Sequence, residues 1–157
     1  MTSSLVGSEM CIRDRYKDIH FDICFCSPLI RAKETAQIFL SARNIPIIYD
    51  NRIMEMCFGT YEGIENSFEI PDCPINVLFK DPVNYIPVEN GESFEQLFAR
   101  TGEFLEQAVR PQLEDGKDVL IVGHGAMNSS IVCQIKNEPL ENFWKAGIKN
   151  CKLMKLI

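Results

Sequence analysis

Histidine is scarce in this chain, with two in 157 residues, His20 and His124. Neither lies among cysteines at zinc-ligand spacing, and the seven cysteines include no Cys-x-x-Cys pair, so nothing in the sequence points to a structural zinc. Their odd number, and a start without a basic segment followed by an apolar one, point to free thiols in a reducing cytoplasm, used as small core residues. No apolar run approaches the ~20 residues of a membrane span. A net charge of −6 with no Lys/Arg stripe argues against a nucleic-acid partner. There is no internal repeat, and the length fits one domain or part of one.

What is present is an alternation of short apolar runs and helix-period segments. Residues 21–26 read as a strand with Cys24 and Cys26 on one face. Ser27 and Pro28 then open a helix, Ser27 as N-cap and Pro28 at its first position. Leu29, Ala32, Ala36, Phe39 and Leu40 form its apolar stripe, and Asn44 ends it. Residues 45–49 read as an edge strand because of Pro46. Residues 50–92 are too many for a passive connection and predict a functional insertion or lid with short helices. Ser93 and Gln96 form a capping box for the best helix, with Phe94, Leu97, Phe98, Phe104 and Leu105 at helical period and Pro111 at its end. The run Val119-Leu120-Ile121-Val122 reads as a strand buried on both faces. A helix from about 126 to 136, a helical turn at 140–144 and a final strand at 152–157 follow. Residues 1–15 carry no clear period, although Ser8 offers a cap for a short helix through Ile19. The alternation implies a parallel or mixed sheet covered on both faces.

Three segments hold charged or polar residues that packing does not call for. His124 stands between Gly123 and Gly125, where a strand stops and a helix begins. The glycines permit a sharp turn and close approach of a ligand, and the carboxyl end of a parallel strand beside a helix N-terminus is suited to an anion. A structural histidine satisfied by backbone is the alternative. Arg31 lies in the first turn of its helix, working against the helix dipole by roughly a few tenths of a kcal/mol. An anion held at that end justifies the placement, and its planar fork suits phosphate oxygens, but position alone leaves a solvated surface arginine equally open. Glu55 lies among Ile53, Met54, Met56 and Phe58, where desolvation favours a protonated general acid; alternatively it faces solvent, and Glu62 is the competing acid. Gly123-His124-Gly125 is no dinucleotide fingerprint, since Asn128 stands where the third glycine belongs.

Taken in order, Ser27-Pro28-Leu29-Ile30-Arg31-Ala32 with Thr35-Ala36, Glu55 with Gly59, Glu62 and Gly63, Gly91-Glu92-Ser93 opening a helix, and Gly123-His124-Gly125 after a strand resemble the histidine phosphatase, or phosphoglycerate mutase-like, superfamily. The resemblance runs from about residue 21 to 156. It implies an α/β fold, a three-layer α/β/α sandwich with a mostly parallel sheet. It also implies that phosphate is handled by two histidines and two arginines, one histidine being transiently phosphorylated. On this resemblance Arg31 clamps the phosphoryl oxygens, Glu55 protonates the leaving group and His124 stabilises the transferring group. No metal or cofactor is implied, and the partner is a small phosphorylated metabolite.

One departure is large. The family opens with a strand ending in Arg-His-Gly, whose histidine is the nucleophile, and that tripeptide is absent. Leu5-Val6-Gly7-Ser8-Glu9 echoes it without the arginine or the histidine. His20 is no substitute, because six residues at ~3.3 Å each put it about 20 Å from the far end of its strand. Residues 1–15 are therefore expected to be a non-native leader and residues 16–157 a partial domain lacking the family's first strand. The parent protein is expected to be a cytoplasmic phosphomonoesterase working through phosphohistidine, with this chain inactive as it stands. The alternatives are phosphoglycerate mutase-type transfer and a catalytically silent phosphate-binding module. The oligomeric state is left unassigned.

Overall fold

The computed structural model describes residues 13–64, 69–148 and 152–157. Ser8, Cys11 and Cys151 lie outside them, as does the Leu5–Glu9 echo.

The centre of the fold is strand β1, Ile23–Cys26, whose four residues are all buried. Helix α1, Ile30–Leu40, follows, and then the three-residue strand β2, Ile47–Tyr49. Strand β3, Val119–Val122, pairs with the other side of β1, so the described sheet has the order β2-β1-β3. Both pairings are parallel. β1 is the strand buried on both faces. β3 flanks it at the edge of the described sheet and keeps only Leu120 fully buried, which corrects the expectation that the Val119–Val122 run is the doubly covered strand.

The alternation of side chains along β1 sends residues to two layers. Cys24 and Cys26 pack with Ala32, Ala36, Phe39 and Leu40 of α1 and with Leu120. Ile23 and Phe25 face the opposite way, toward Phe104, Val109, Met127 and Ile131. Those partners come from helix α3, Phe94–Phe104, with its continuation, and from helix α5, Gly125–Lys136. The result is the expected three-layer α/β/α sandwich. Burial raises the Cys24 thiol to about 12 and the Cys26 thiol to about 11, so both stay protonated and apolar.

The segment between β2 and α3 is built as the sequence predicts, from short pieces: 3₁₀ turns at Asn51–Ile53, Gly59–Tyr61 and Pro82–Asn84, and helix α2, Ile75–Lys80. It has its own core, in which Met56, Ile75, Leu78 and Tyr85 pack against Phe94, Leu97 and Phe143. Phe143 belongs to helix α6, Phe143–Ala146, the continuation of a 3₁₀ turn at Leu140–Asn142. Trp144 of α6 donates its indole N–H to the Leu78 carbonyl at 2.7 Å and stacks on Phe79.

Local signals predict most of these elements, with informative exceptions. Ser93 and Gln96 make the full reciprocal capping box of α3. Pro111 does not stop that helix. The chain passes through a π-turn at Leu105–Val109 and resumes as helix α4, Arg110–Glu114, with Pro111 in its first turn, where a missing N–H is harmless. Helix α1 starts at Ile30 with Leu29 as its N-cap, two residues later than Ser27 and Pro28 indicate, and the Ser27 hydroxyl accepts the Leu29 N–H at 3.3 Å; the helix ends at Leu40 rather than at Asn44. Residues 152–157 form no ladder with any described strand. They lie against the two sheet layers through Leu153 and Leu156. Among the described residues, no helix is long and apolar enough to cross a membrane.

Phe104 is fully buried and meets Phe25 edge-on at 5.4 Å. Urea unfolding is expected to show Phe104→Ala losing about 3–5 kcal/mol and Ser93→Ala losing about 1 kcal/mol. Equal losses would place the principal core elsewhere.

Candidate active site

Parallel pairing fixes what meets at the carboxyl end of the sheet. Cys26 lies opposite Val122, and the Ser27 N–H donates to the Val122 carbonyl at 3.0 Å. The next residues of both strands therefore leave the sheet side by side. Ser27 Oγ lies 2.8 Å from His124 Nε2. His124 is the N-cap residue of α5, in extended backbone, and its side chain makes no cap hydrogen bond to its own helix.

The flanking glycines serve space rather than left-handed turning, since neither has positive φ. A Cβ on Gly123 would lie 1.7 Å from the Met127 methyl, and one on Gly125 would touch Glu55 Oε2 at 3.8 Å.

Glu55 arrives from the other side of the helix start. Its Oε1 accepts from the N–H of Met127 at 3.1 Å and of Met56 at 2.8 Å, and its Oε2 accepts from the Ala126 N–H at 3.4 Å. The side chain thus caps α5 with a carboxylate, as the helix dipole favours. Its surroundings are backbone amides, which corrects the expectation of an apolar pocket: Ile53 and Met56 are buried, while the carboxylate between them turns to the amide donors. Glu62, the competing acid, is exposed and receives the Phe58 N–H at 2.6 Å.

Arg31 sits in the first turn of α1, exposed, with no side-chain hydrogen bond or ion pair to another described residue. Its charge nevertheless bears on the His124 ring. Burial is the main influence there and lowers the imidazole below its ordinary 6.5; Glu55 raises it, and Arg31 and Arg100 lower it further. Glu55 and His124 thus flank the start of α5, and Arg31 stands in the first turn of the helix that leaves β1 at the same end of the sheet, with no direct contact to either.

Arg100 and Glu92 were not legible as site residues. Glu92 holds Arg100 by two contacts, 2.5 and 2.9 Å. The guanidinium then donates to the carbonyls of Arg52 at 2.6 Å and Glu55 at 3.3 Å. This clamp fixes the backbone on which Glu55 stands. The sequence signals are Glu92 within the Gly91-Glu92-Ser93 segment and, for Arg100, a cation beside the buried positions Leu97, Thr101 and Phe104 of α3. Gly59 is a second anchor of the same segment. Its φ is +57°, and a Cβ there would lie 2.2 Å from the Glu89 carbonyl oxygen.

The second histidine is remote. His20 precedes β1 and Asp118 precedes β3, so both lie at the opposite end from His124. His20 Nε2 contacts Asp22 Oδ1 at 2.9 Å, and Asp22 also receives the Asp118 N–H. These exposed side chains are the described group with metal-ligand spacing, and they are separate from the residues around His124.

A family model described as histidine phosphatase superfamily (branch 1) matches residues 9–157. The chain is 33% identical over 111 residues to a 2,3-bisphosphoglycerate-dependent phosphoglycerate mutase of Cytophaga hutchinsonii, covering 68% of this chain and 51% of that protein. It is 26% identical over 133 residues to phosphoserine phosphatase 1 of Hydrogenobacter thermophilus, covering 83% of this chain and 62% of that one. It thus spans less than two thirds of either curated relative. Among solved structures, YhfR of Bacillus stearothermophilus superimposes with a TM-score of 0.78 at 28% identity, covering 88% of this chain and 68% of that one.

The lowered imidazole has a thermodynamic consequence. The unfolded chain, with an ordinary histidine at 6.5, binds a proton before the native one does. Stability is therefore complete above 6.5 and falls as pH drops through that value toward the native pKa. Asp50, held below 3.8 by its hydrogen bond from Arg52, contributes only in a more acid window. Urea midpoints are expected to fall as the pH is lowered from above 6.5 through the His124 window, before the Asp50 window is reached, and His124→Gln is expected to remove that slope. A slope unchanged in the variant would assign it to another group.

Proposed function

The chain belongs to the histidine phosphatase superfamily, and from that premise we propose that it handles the phosphoryl group of a small phosphorylated metabolite at the carboxyl end of β1 and β3. The observation that supports this reading is that Glu55 holds the first amides of the helix that His124 caps, while Arg31 stands in the first turn of the helix leaving β1 at the same end, although the three are far apart in sequence. Phosphomonoester hydrolysis through a phosphohistidine is the reaction we assign to the complete site. Phosphoglycerate mutase-type transfer is the runner-up, and curated relatives of both kinds support keeping the two together.

The chemistry needs negative charge to be spread and a leaving oxygen to be protonated. Arg31 supplies a planar fork for two equatorial oxygens. His124 supplies a polar N–H at the start of α5. Glu55 is the carboxyl we assign to the leaving oxygen. Because it now accepts from three amides, proton delivery requires it to exchange those partners for the substrate oxygen. The Arg31 guanidinium supplies compensating charge, and this mechanism calls on no metal or cofactor. We place the activity in the cytoplasm on the strength of the free, buried thiols Cys24, Cys26, Cys73 and Cys133.

A second reading has a specific observation behind it. Among the described residues, His124 is the one histidine at this end of the sheet. On that reading the chain alone binds phosphate and does not form phosphohistidine.

Inorganic phosphate, titrated by calorimetry, is expected to bind the chain, with Arg31→Ala and His124→Ala each weakening it about tenfold or more, the worth of a charge-assisted hydrogen bond. Turnover of p-nitrophenyl phosphate is expected to be negligible until a first strand carrying Arg-His-Gly is supplied. Rapid release by the chain alone, abolished by His124→Ala, would contradict the missing-nucleophile reading. A well-folded protein with that strand and no phosphatase activity would favour the binding module.

A further inference from the structure

Ser27 has no solvent exposure, so the partners of its hydroxyl can be counted. Two groups lie within hydrogen-bond distance of Oγ among the described residues: the Leu29 N–H at 3.3 Å and His124 Nε2 at 2.8 Å. Leu29 can only donate, and it occupies one oxygen lone pair. The hydroxyl proton then has a single acceptor, the Nε2 lone pair. If Nε2 carried the proton instead, the serine proton would be buried without an acceptor, at the full cost of an unsatisfied polar group.

We propose that Ser27 is a positioning residue for His124: its O–H donates to Nε2, fixes the single imidazole proton on Nδ1, and leaves that N–H as the ring's contact for an incoming phosphoryl oxygen. The His124 side chain makes no bond to the N-terminus of α5, and Nδ1 has no partner among the described residues. Nδ1 is therefore the free donor of the ring. The groups whose charge bears on this imidazole are Glu55, which follows β2, Arg31 on α1 and Arg100 on α3. Two of the three are cations, and burial also disfavours the imidazolium. The neutral ring in the Nδ1–H form gives the site a third donor without adding a third like charge. The proposal rests on the reading of this end of the sheet as a phosphate site, and it adds what sets the ring's tautomer and aim.

The chain's two histidines make the test direct. With His20→Gln, which lies at the other end of the sheet, long-range ¹H–¹⁵N correlation spectra contain one imidazole. Above pH 6.5 it is expected to show a protonated Nδ1 and a hydrogen-bond-accepting Nε2. In Ser27→Ala the ring is expected to shift toward the Nε2–H form, and inorganic phosphate is expected to bind about fivefold more weakly, the worth of one hydrogen bond. Ser27→Thr keeps the hydroxyl and is expected to restore both. An Nε2–H ring in the otherwise wild-type chain overturns the proposal, and so does an Ala variant with tautomer and affinity unchanged. If Ser27→Ala does not fold, the spectrum of the serine form decides alone. If inorganic phosphate does not bind the serine form, the phosphate-site reading fails, while the tautomer still decides the role of Ser27.

Discussion

The parallel register between β1 and β3 is the constraint on which the rest depends. With Cys26 opposite Val122, the chain leaves both strands side by side, and Ser27, the first residue beyond β1, meets His124, the second beyond β3. A slip of one residue would send Cys24 and Cys26 to the helix layer that now receives Ile23 and Phe25. The two apolar layers hold that register, and the register holds Ser27 against His124. The chemistry at the sheet end is thus set by packing some residues away from it.

A second support comes from the irregular segment after β2. A long connection is usually where a structure is loose, yet this one is tied at several points. Gly59 turns with a positive φ against the Glu89 carbonyl, Phe58 bridges to Gly91, and Arg100 holds the carbonyls of Arg52 and Glu55 while Glu92 holds Arg100. A half-buried cation–carboxylate pair such as Glu92–Arg100 contributes little net stability, because desolvation offsets much of the attraction. Its consequence here is geometric: it braces the backbone under Glu55 where the carboxylate reaches the first amides of α5. The segment is better described as a braced wall of the site than as a lid.

Electrostatics and burial act on the same imidazole from different sides. Two guanidiniums and desolvation disfavour its charged form, while one carboxylate favours it. That balance suits the proposed phosphate site, where an anion is to be bound while the histidine keeps a defined protonation state. The same balance makes the neighbouring serine consequential, because only a neutral ring has a tautomer to choose.

Sequence alone determined a good deal. The order of motifs, the strand before His124, the apolar stripe of α1, the capping box at Ser93 and the alternation that implies a layered α/β fold were all legible, because each depends on contacts within a few residues. Arg31, Glu55 and His124 could be singled out for the same reason, each standing where local packing gives no use for its side chain. Tertiary structure decided the remainder. Ser27 reads locally as a helix cap and is in fact the partner of a ring 97 residues away. Glu55 reads as a carboxyl among apolar neighbours and is held by amides of a distant helix. Pro111 reads as a stop and is absorbed by a π-turn, and the final residues read as a strand but find no described partner. In each case the deciding hydrogen bond or contact joins segments that only strand register and layer packing bring together, and no short-range pattern carries that information.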